Sequence, residues 1–75
     1  MFEIITKALA QQFGIEETTI TRETDVREDL GADSLDIFEI VSVIEKEVGI
    51  KVPVSEITGL RTVGEIENYL NSKLN

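Results

Sequence analysis

Gly31-Ala32-Asp33-Ser34-Leu35-Asp36-Ile37-Phe38-Glu39-Ile40-Val41-Ser42-Val43-Ile44-Glu45-Lys46-Glu47-Val48-Gly49 is the stretch from which the rest of the chain is read. Its spacing predicts a helix that starts near Asp33 or Ser34, runs to Val48 and stops at Gly49. With a rotation of about 100° per residue, Ile37, Ile40, Val41, Ile44 and Val48 gather on one face and define the core side. Leu35 and Phe38 fall off that face, on the side carrying Glu39, Ser42 and Lys46, and Val43 falls on the far flank. These three apolar residues are therefore expected to be at least partly exposed. An isolated surface apolar residue is ordinary. Leu35 and Phe38, however, are one turn apart and ringed by carboxylates, the pattern of a recognition patch with an apolar centre and a charged rim.

Ser34 sits at the start of this helix. A nucleophilic serine needs an adjacent base, usually a histidine held by a third group, and the 75-residue chain contains neither His nor Cys. Ser34 therefore reads as a residue modified by another protein. The bland alternative is a helix cap, with Asp33 or Ser34 accepting first-turn amide hydrogens. The two roles are compatible, because a first-turn hydroxyl points to solvent and the free amides of a helix start favour an attached phosphate. Gly31 lets the preceding loop turn and approach closely.

Working outward, Phe2, Ile5, Leu9 and Phe13 recur at helical spacing and Gly14 follows as a cap, giving a first helix. From Ile15 to Leu30 the pattern breaks into Thr and charged residues, a long loop pinned at Ile20, Val26 and Leu30. After Gly49, Ile50, Val52 and Val54 alternate with Lys51 and Pro53, but Pro53 and the lack of a partner strand argue for an extended connector. Ser55 is placed to cap a short turn around Glu56 and Ile57, ended by Gly59. Thr62 and Glu65 form a capping-box pattern ahead of Val63, Ile66, Leu70 and Leu74, with Tyr69 alongside. The expected fold is all-α: a four-helix bundle with three main helices, one short helix and a long loop between the first two, in a single domain over 1–75.

Composition narrows the function. Fifteen acidic residues against seven basic give a net charge of −8, which disfavours nucleic acid as a partner. The acid is concentrated at Glu28, Asp29, Asp33, Asp36, Glu39, Glu45 and Glu47, opposed there by Lys46 alone. Such a surface either solubilises the chain or steers basic partners to it. No basic segment followed by an apolar run opens the sequence and no stretch is long enough to span a bilayer, so a soluble cytoplasmic protein is expected.

The run Asp29-Leu30-Gly31-Ala32-Asp33-Ser34-Leu35-Asp36, the following helix with Glu39, then Gly49, Ile50 and Pro53, and finally Thr62, Val63 and Gly64 before a Tyr-containing helix, closely resemble the acyl carrier proteins. The resemblance covers essentially the whole chain. It implies that Ser34 is esterified with 4'-phosphopantetheine from coenzyme A by a separate phosphopantetheinyl transferase. The arm ends in a thiol, which a chain without Cys must obtain from a cofactor. It further implies a monomeric carrier, not an enzyme, that holds acyl chains as thioesters for fatty acid or related biosynthetic enzymes with basic docking patches. Carried over by position, Asp33, Leu35, Asp36, Phe38, Glu39, Ser42 and Glu45 occupy the docking helix, with Glu56 on the short helix that assists it. Ile37, Ile40, Ile44, Ile57, Leu60, Ile66 and Tyr69 are the expected acyl-pocket lining.

Three positions depart from the family pattern: Phe38 is bulky where a small aliphatic residue is common, Ser42 is polar where an apolar residue is usual, and Lys46 interrupts the acidic run. They suggest a restricted set of partner enzymes. Within the class, aminoacyl, peptidyl or polyketide cargo is the alternative; Ala32, Asp33 and the net charge favour acyl cargo. Outside it stand an unmodified acidic helical interaction module and a divalent-cation module built on Asp25, Asp29, Asp33 and Asp36. The EF-hand spacing is absent, and no metal site is expected.

Overall fold

The computed structural model describes residues 1–74, apart from the side chain of Val54; of the expected domain over 1–75, Asn75 lies outside the described residues. Four α-helices follow in order: α1 (Phe2–Phe13), α2 (Ser34–Val48), α3 (Val54–Ile57) and α4 (Val63–Leu74). The expected all-α architecture with three main helices and one short one is what forms. α1 packs against both α2 and α4. Their apolar stripes meet in a core whose most deeply buried side chains are Ile5, Leu9, Val26, Ile44, Val63 and Leu70.

Helix ends follow the local chemistry. Gly49 adopts φ 72°, a left-handed conformation that costs a glycine little, and its N–H returns to the Glu45 carbonyl to close α2. The Thr62–Glu65 capping box forms at the start of α4: the Glu65 N–H donates to Thr62 Oγ1 at 3.1 Å. Glu65 Oε1 also accepts from the Arg61 N–H at 2.8 Å. One local expectation is corrected. Ser55 lies inside α3 and does not cap it; the cap falls two residues earlier, at Pro53, whose carbonyl accepts the Glu56 N–H at 3.0 Å. Leu74 is nearly half exposed, because the last turn of α4 is not covered.

The loop between α1 and α2 is more structured than its sequence suggests. It contains a 3-10 turn over Glu17–Thr19 and an isolated antiparallel bridge between Asp25 and Thr62. Ile20 and Val26 are buried as expected, Leu30 partly so. Backbone pairing adds to these anchors: Val26 N–H to Arg61 O at 2.8 Å, Val63 N–H to Thr24 O at 3.0 Å and Gly64 N–H to Arg22 O at 2.9 Å stitch the loop to the start of α4. The loop's far end is thereby held still, and Ser34 follows directly from it.

A buried charge completes this stitching. Glu67 lies on the core stripe of α4 and is largely buried; its Oε1 pairs with the Arg22 guanidinium, which also sits 5.0 Å over the Phe2 ring. Gly64 lies under the same segment, where an added Cβ would come within 3.2 Å of the Arg22 carbonyl oxygen.

Candidate functional site

Asp33, and not Ser34, is the N-cap of α2. Its Oδ1 accepts the Asp36 N–H at 2.9 Å, and Asp36 Oδ2 accepts the Asp33 N–H at 3.1 Å, a reciprocal capping box. Ser34 is thus left as the first helical residue, exposed, and its hydroxyl hydrogen-bonds to no described residue. Behind it Gly31 turns at φ 72° with open space around its Cα. Ala32 is buried, its N–H donating to the Val26 carbonyl at 2.9 Å, so the approach to the serine is anchored.

The other candidate surface residues are placed along one flank. Leu35 is 64% and Phe38 50% exposed, and Val43 is 45% exposed on the opposite flank, as the helical spacing requires. α3 does not cover Phe38. A cross-helix contact that no sequence pattern signals links this surface to α1: the Gln12 amide donates to Glu39 Oε2 at 2.7 Å and to Asp36 Oδ1 at 3.3 Å. The Asp36 carboxyl is held below its ordinary pKa, chiefly by the Asp33 N–H and next by Gln12.

Not every residue expected on this flank offers a free group. Ser42 Oγ donates to the Phe38 carbonyl of its own helix at 3.0 Å. The Glu45 carboxylate turns back to accept the Val52 N–H at 2.7 Å, so it serves as a cap for the connector. Glu56 accepts from the Tyr69 hydroxyl and from Lys73 Nζ, the latter at 3.1 Å. These two donors, the phenol first, lower the Glu56 pKa. In turn burial, and then Glu56, raise that of Tyr69.

Ile37, Ile40, Ile44, Ile57, Leu60 and Ile66 line one cavity, together with Ile5, Leu9, Val26, Val41 and Leu70. Tyr69 is not in that wall. Val63, Glu67 and Leu70 are the buried line of α4, and Tyr69 flanks it, with its hydroxyl engaged at Glu56. The cavity has a volume of about 20 Å³, room for one water at most. Its lining is wholly aliphatic, so it is a narrow apolar seam between helices and not a polar active site.

The site contains an exposed hydroxyl and no base to activate it, since the chain has no His and no lysine or carboxylate hydrogen-bonds Ser34 among the described residues. No group of three or more acidic side chains able to hold a metal converges among the described residues either. No helix there is long and apolar enough to cross a membrane.

Residues 3–70 match the family described as the phosphopantetheine attachment site. The chain is also similar to the acyl carrier protein of Saccharopolyspora erythraea, with 52% identity over 66 residues that cover 88% of this chain and 70% of that protein. Acyl carrier proteins are carriers and not enzymes; their cofactor is covalent phosphopantetheine, and their partners are a phosphopantetheinyl transferase and acyl-processing enzymes. A base-free serine presented at a helix start, in a chain whose length matches that family almost throughout, places this protein among the acyl carrier proteins.

Proposed function

We propose that Ser34 is the phosphopantetheine attachment point and that the protein carries fatty-acyl or related acyl groups as thioesters between cytoplasmic biosynthetic enzymes, acting as a monomeric single domain. The observation that carries this reading is the Ser34 hydroxyl, exposed at the first position of α2 and free of the capping duty that Asp33 performs. The group fits the residues present. The first-turn amides of Ser34 and Leu35 are not taken by the capping box, which uses those of Asp33 and Asp36, so they are available to a phosphodiester oxygen. When bound, phosphopantetheine supplies the thiol that the Cys-free chain lacks.

Asp33, Leu35, Asp36, Phe38, Glu39 and Ser42 then form the surface read by partner enzymes, with Glu45 and Glu56 acting through the segments that they hold in place. The aliphatic seam supports hydrocarbon cargo over aminoacyl or peptidyl cargo, because no polar side chain in its wall would satisfy a buried amide or ammonium. The test is intact mass after incubation with coenzyme A and a promiscuous phosphopantetheinyl transferase. One phosphopantetheine on the wild type and none on Ser34→Ala is expected. No gain on a folded, unmodified sample defeats the carrier reading and leaves an acidic interaction module.

A further inference from the structure

The outward face of α2 changes sign along its length. At its N-terminal end Asp33, Asp36 and Glu39 surround the exposed Leu35 and Phe38. Toward the other end the acids are diverted. Glu45 is turned onto the Val52 N–H. Glu47 lies on the α1 side, where it lines a groove with Lys7 and Val43. What faces outward there is Lys46 and, just beyond the helix, Lys51. Both are exposed, and they line an open groove with Ser42, Gly49, Ile50 and Glu45, the last with its carboxylate engaged at the Val52 N–H.

The remaining cations make these two stand out. Arg22, Arg61 and Lys73 are each paired with a carboxylate, Arg27 donates to the Thr58 carbonyl at 3.0 Å, and Lys7, in no ion pair among the described residues, lies on α1 in the groove it shares with Glu3 and Glu47. Lys46 and Lys51 form no ion pair with any described residue. At the helical rise, Asp36 and Lys46 stand about 15 Å apart along α2. A uniformly basic partner would attract one end of this strip and repel the other, and in a chain of net charge −8 two adjacent unpaired cations oppose such a partner's approach.

Building on the carrier reading above, we infer that the enzymes docking on α2 present a bipolar strip: basic side chains opposite Asp33, Asp36 and Glu39, and a carboxylate about 15–20 Å further along, opposite Lys46 and Lys51. The strip fixes direction. Reversing the helix on the partner brings like charges together at both ends, which disfavours the wrong pose more than either end alone favours the right one. Direction matters because Ser34 lies at one tip of α2, so a single orientation carries its hydroxyl, and whatever is attached there, to the partner's entrance.

The probe is the acyl-CoA transacylase from the protein's own source, acting on the phosphopantetheine-loaded carrier. For Lys46→Glu/Lys51→Glu, kcat/KM falls about tenfold through KM with kcat unchanged, and the difference fades as salt is raised. Converting the facing carboxylate of the transacylase to Lys restores the rate of this variant and slows the wild type. Lys46→Gln/Lys51→Gln falls between. Both lysines are exposed, so the thermal melts of the variants stay near the wild type. Equal rates for the wild type and the Glu variant overturn the inference, and a faster Glu variant overturns it by showing the partner to be basic throughout. Self-association in ultracentrifugation that Lys46→Glu abolishes overturns it too, by assigning the strip to a second copy of the chain. Each variant is first checked by intact mass. A wild type that takes up no phosphopantetheine defeats the carrier reading itself, whereas normal loading with unchanged transacylation defeats only the bipolar strip.

Discussion

Asp33 and Asp36 cap one another across the first turn of α2, each accepting the other's backbone N–H, at 2.9 Å and 3.1 Å. The reciprocal pair occupies two amides that begin the helix and leaves the residue between cap and core, Ser34, with no structural task. A cap of this kind is worth about 1 kcal/mol. Asp33→Ala is expected to lower the melting temperature by about 4–8 °C, and Asp33→Asn, which keeps the acceptor, by much less. Circular dichroism melts of the two variants check this.

Acid should weaken the same turn. The Asp36 pKa is lowered on folding, chiefly by the Asp33 N–H, so its contribution is present above the ordinary value of 3.8 and is lost as pH falls through the lower folded value. Asp25, lowered first by the Glu28 N–H, has the same sign. Urea denaturation of the wild type and Asp36→Asn between pH 7 and pH 2 should show the wild type more stable at neutral pH, with the two curves converging at the acid end.

Tyr69 is the chain's single tyrosine, and there is no Trp, so its ionisation can be followed directly by absorbance. Burial, and then Glu56, raise its pKa above the ordinary value of 10.0. Its contribution to stability is therefore intact below 10.0 and is lost as pH rises through the higher folded value. A spectrophotometric titration should show the displaced midpoint. Glu56→Ala should move it part of the way back, since burial remains.

Arg22 balances a carboxylate that the core encloses. Removing it leaves Glu67 buried without its partner; because the guanidinium side of the pair is largely exposed, Arg22→Ala is expected to cost about 2 kcal/mol, less than for a wholly buried pair. Arg22→Ala/Glu67→Gln should recover part of that loss. Urea midpoints of the single and double variants make the comparison.

Leu35 and Phe38 separate stability from recognition. Both are at least half exposed, so Leu35→Ala and Phe38→Ala should change folding free energy by only about 0.5 kcal/mol. The same substitutions should lower kcat/KM for phosphopantetheine transfer onto Ser34. A large loss of stability from either would mean that the side chain belongs to the core.

The three long helices and their ends were legible because their apolar residues repeat at helical spacing and Gly14 and Gly49 mark the stops. The exposure of Leu35, Phe38 and Val43 followed from the same periodicity. Glu67 had a usable signal: it stands four residues after Val63 and three before Leu70, squarely on the buried stripe. The Gln12 link to Glu39 had none, since an exposed amide on one helix says nothing about its neighbour across the groove. The loop before α2 looked irregular because its order comes from backbone pairing with Arg61, Val63 and Gly64, which depends on tertiary position and not on residue type. Glu45 and Tyr69 were legible as to place but not as to direction. Spacing locates a side chain around a helix axis, whereas the Val52 N–H and Glu56 decide where its tip turns.

On the carrier reading proposed above, the seam between the helices would set a length threshold for acyl cargo. With room for about one water, it admits an apolar guest only if its walls part. The work of parting them is much the same for any guest, while the gain grows by about 0.8 kcal/mol for every methylene that leaves water. Short acyl chains would then stay outside in solvent, and chains beyond a certain length would slip in. The crossover belongs to the stiffness of Ile37, Ile40, Ile44, Ile57 and Leu60, and not to any enzyme that handles the cargo.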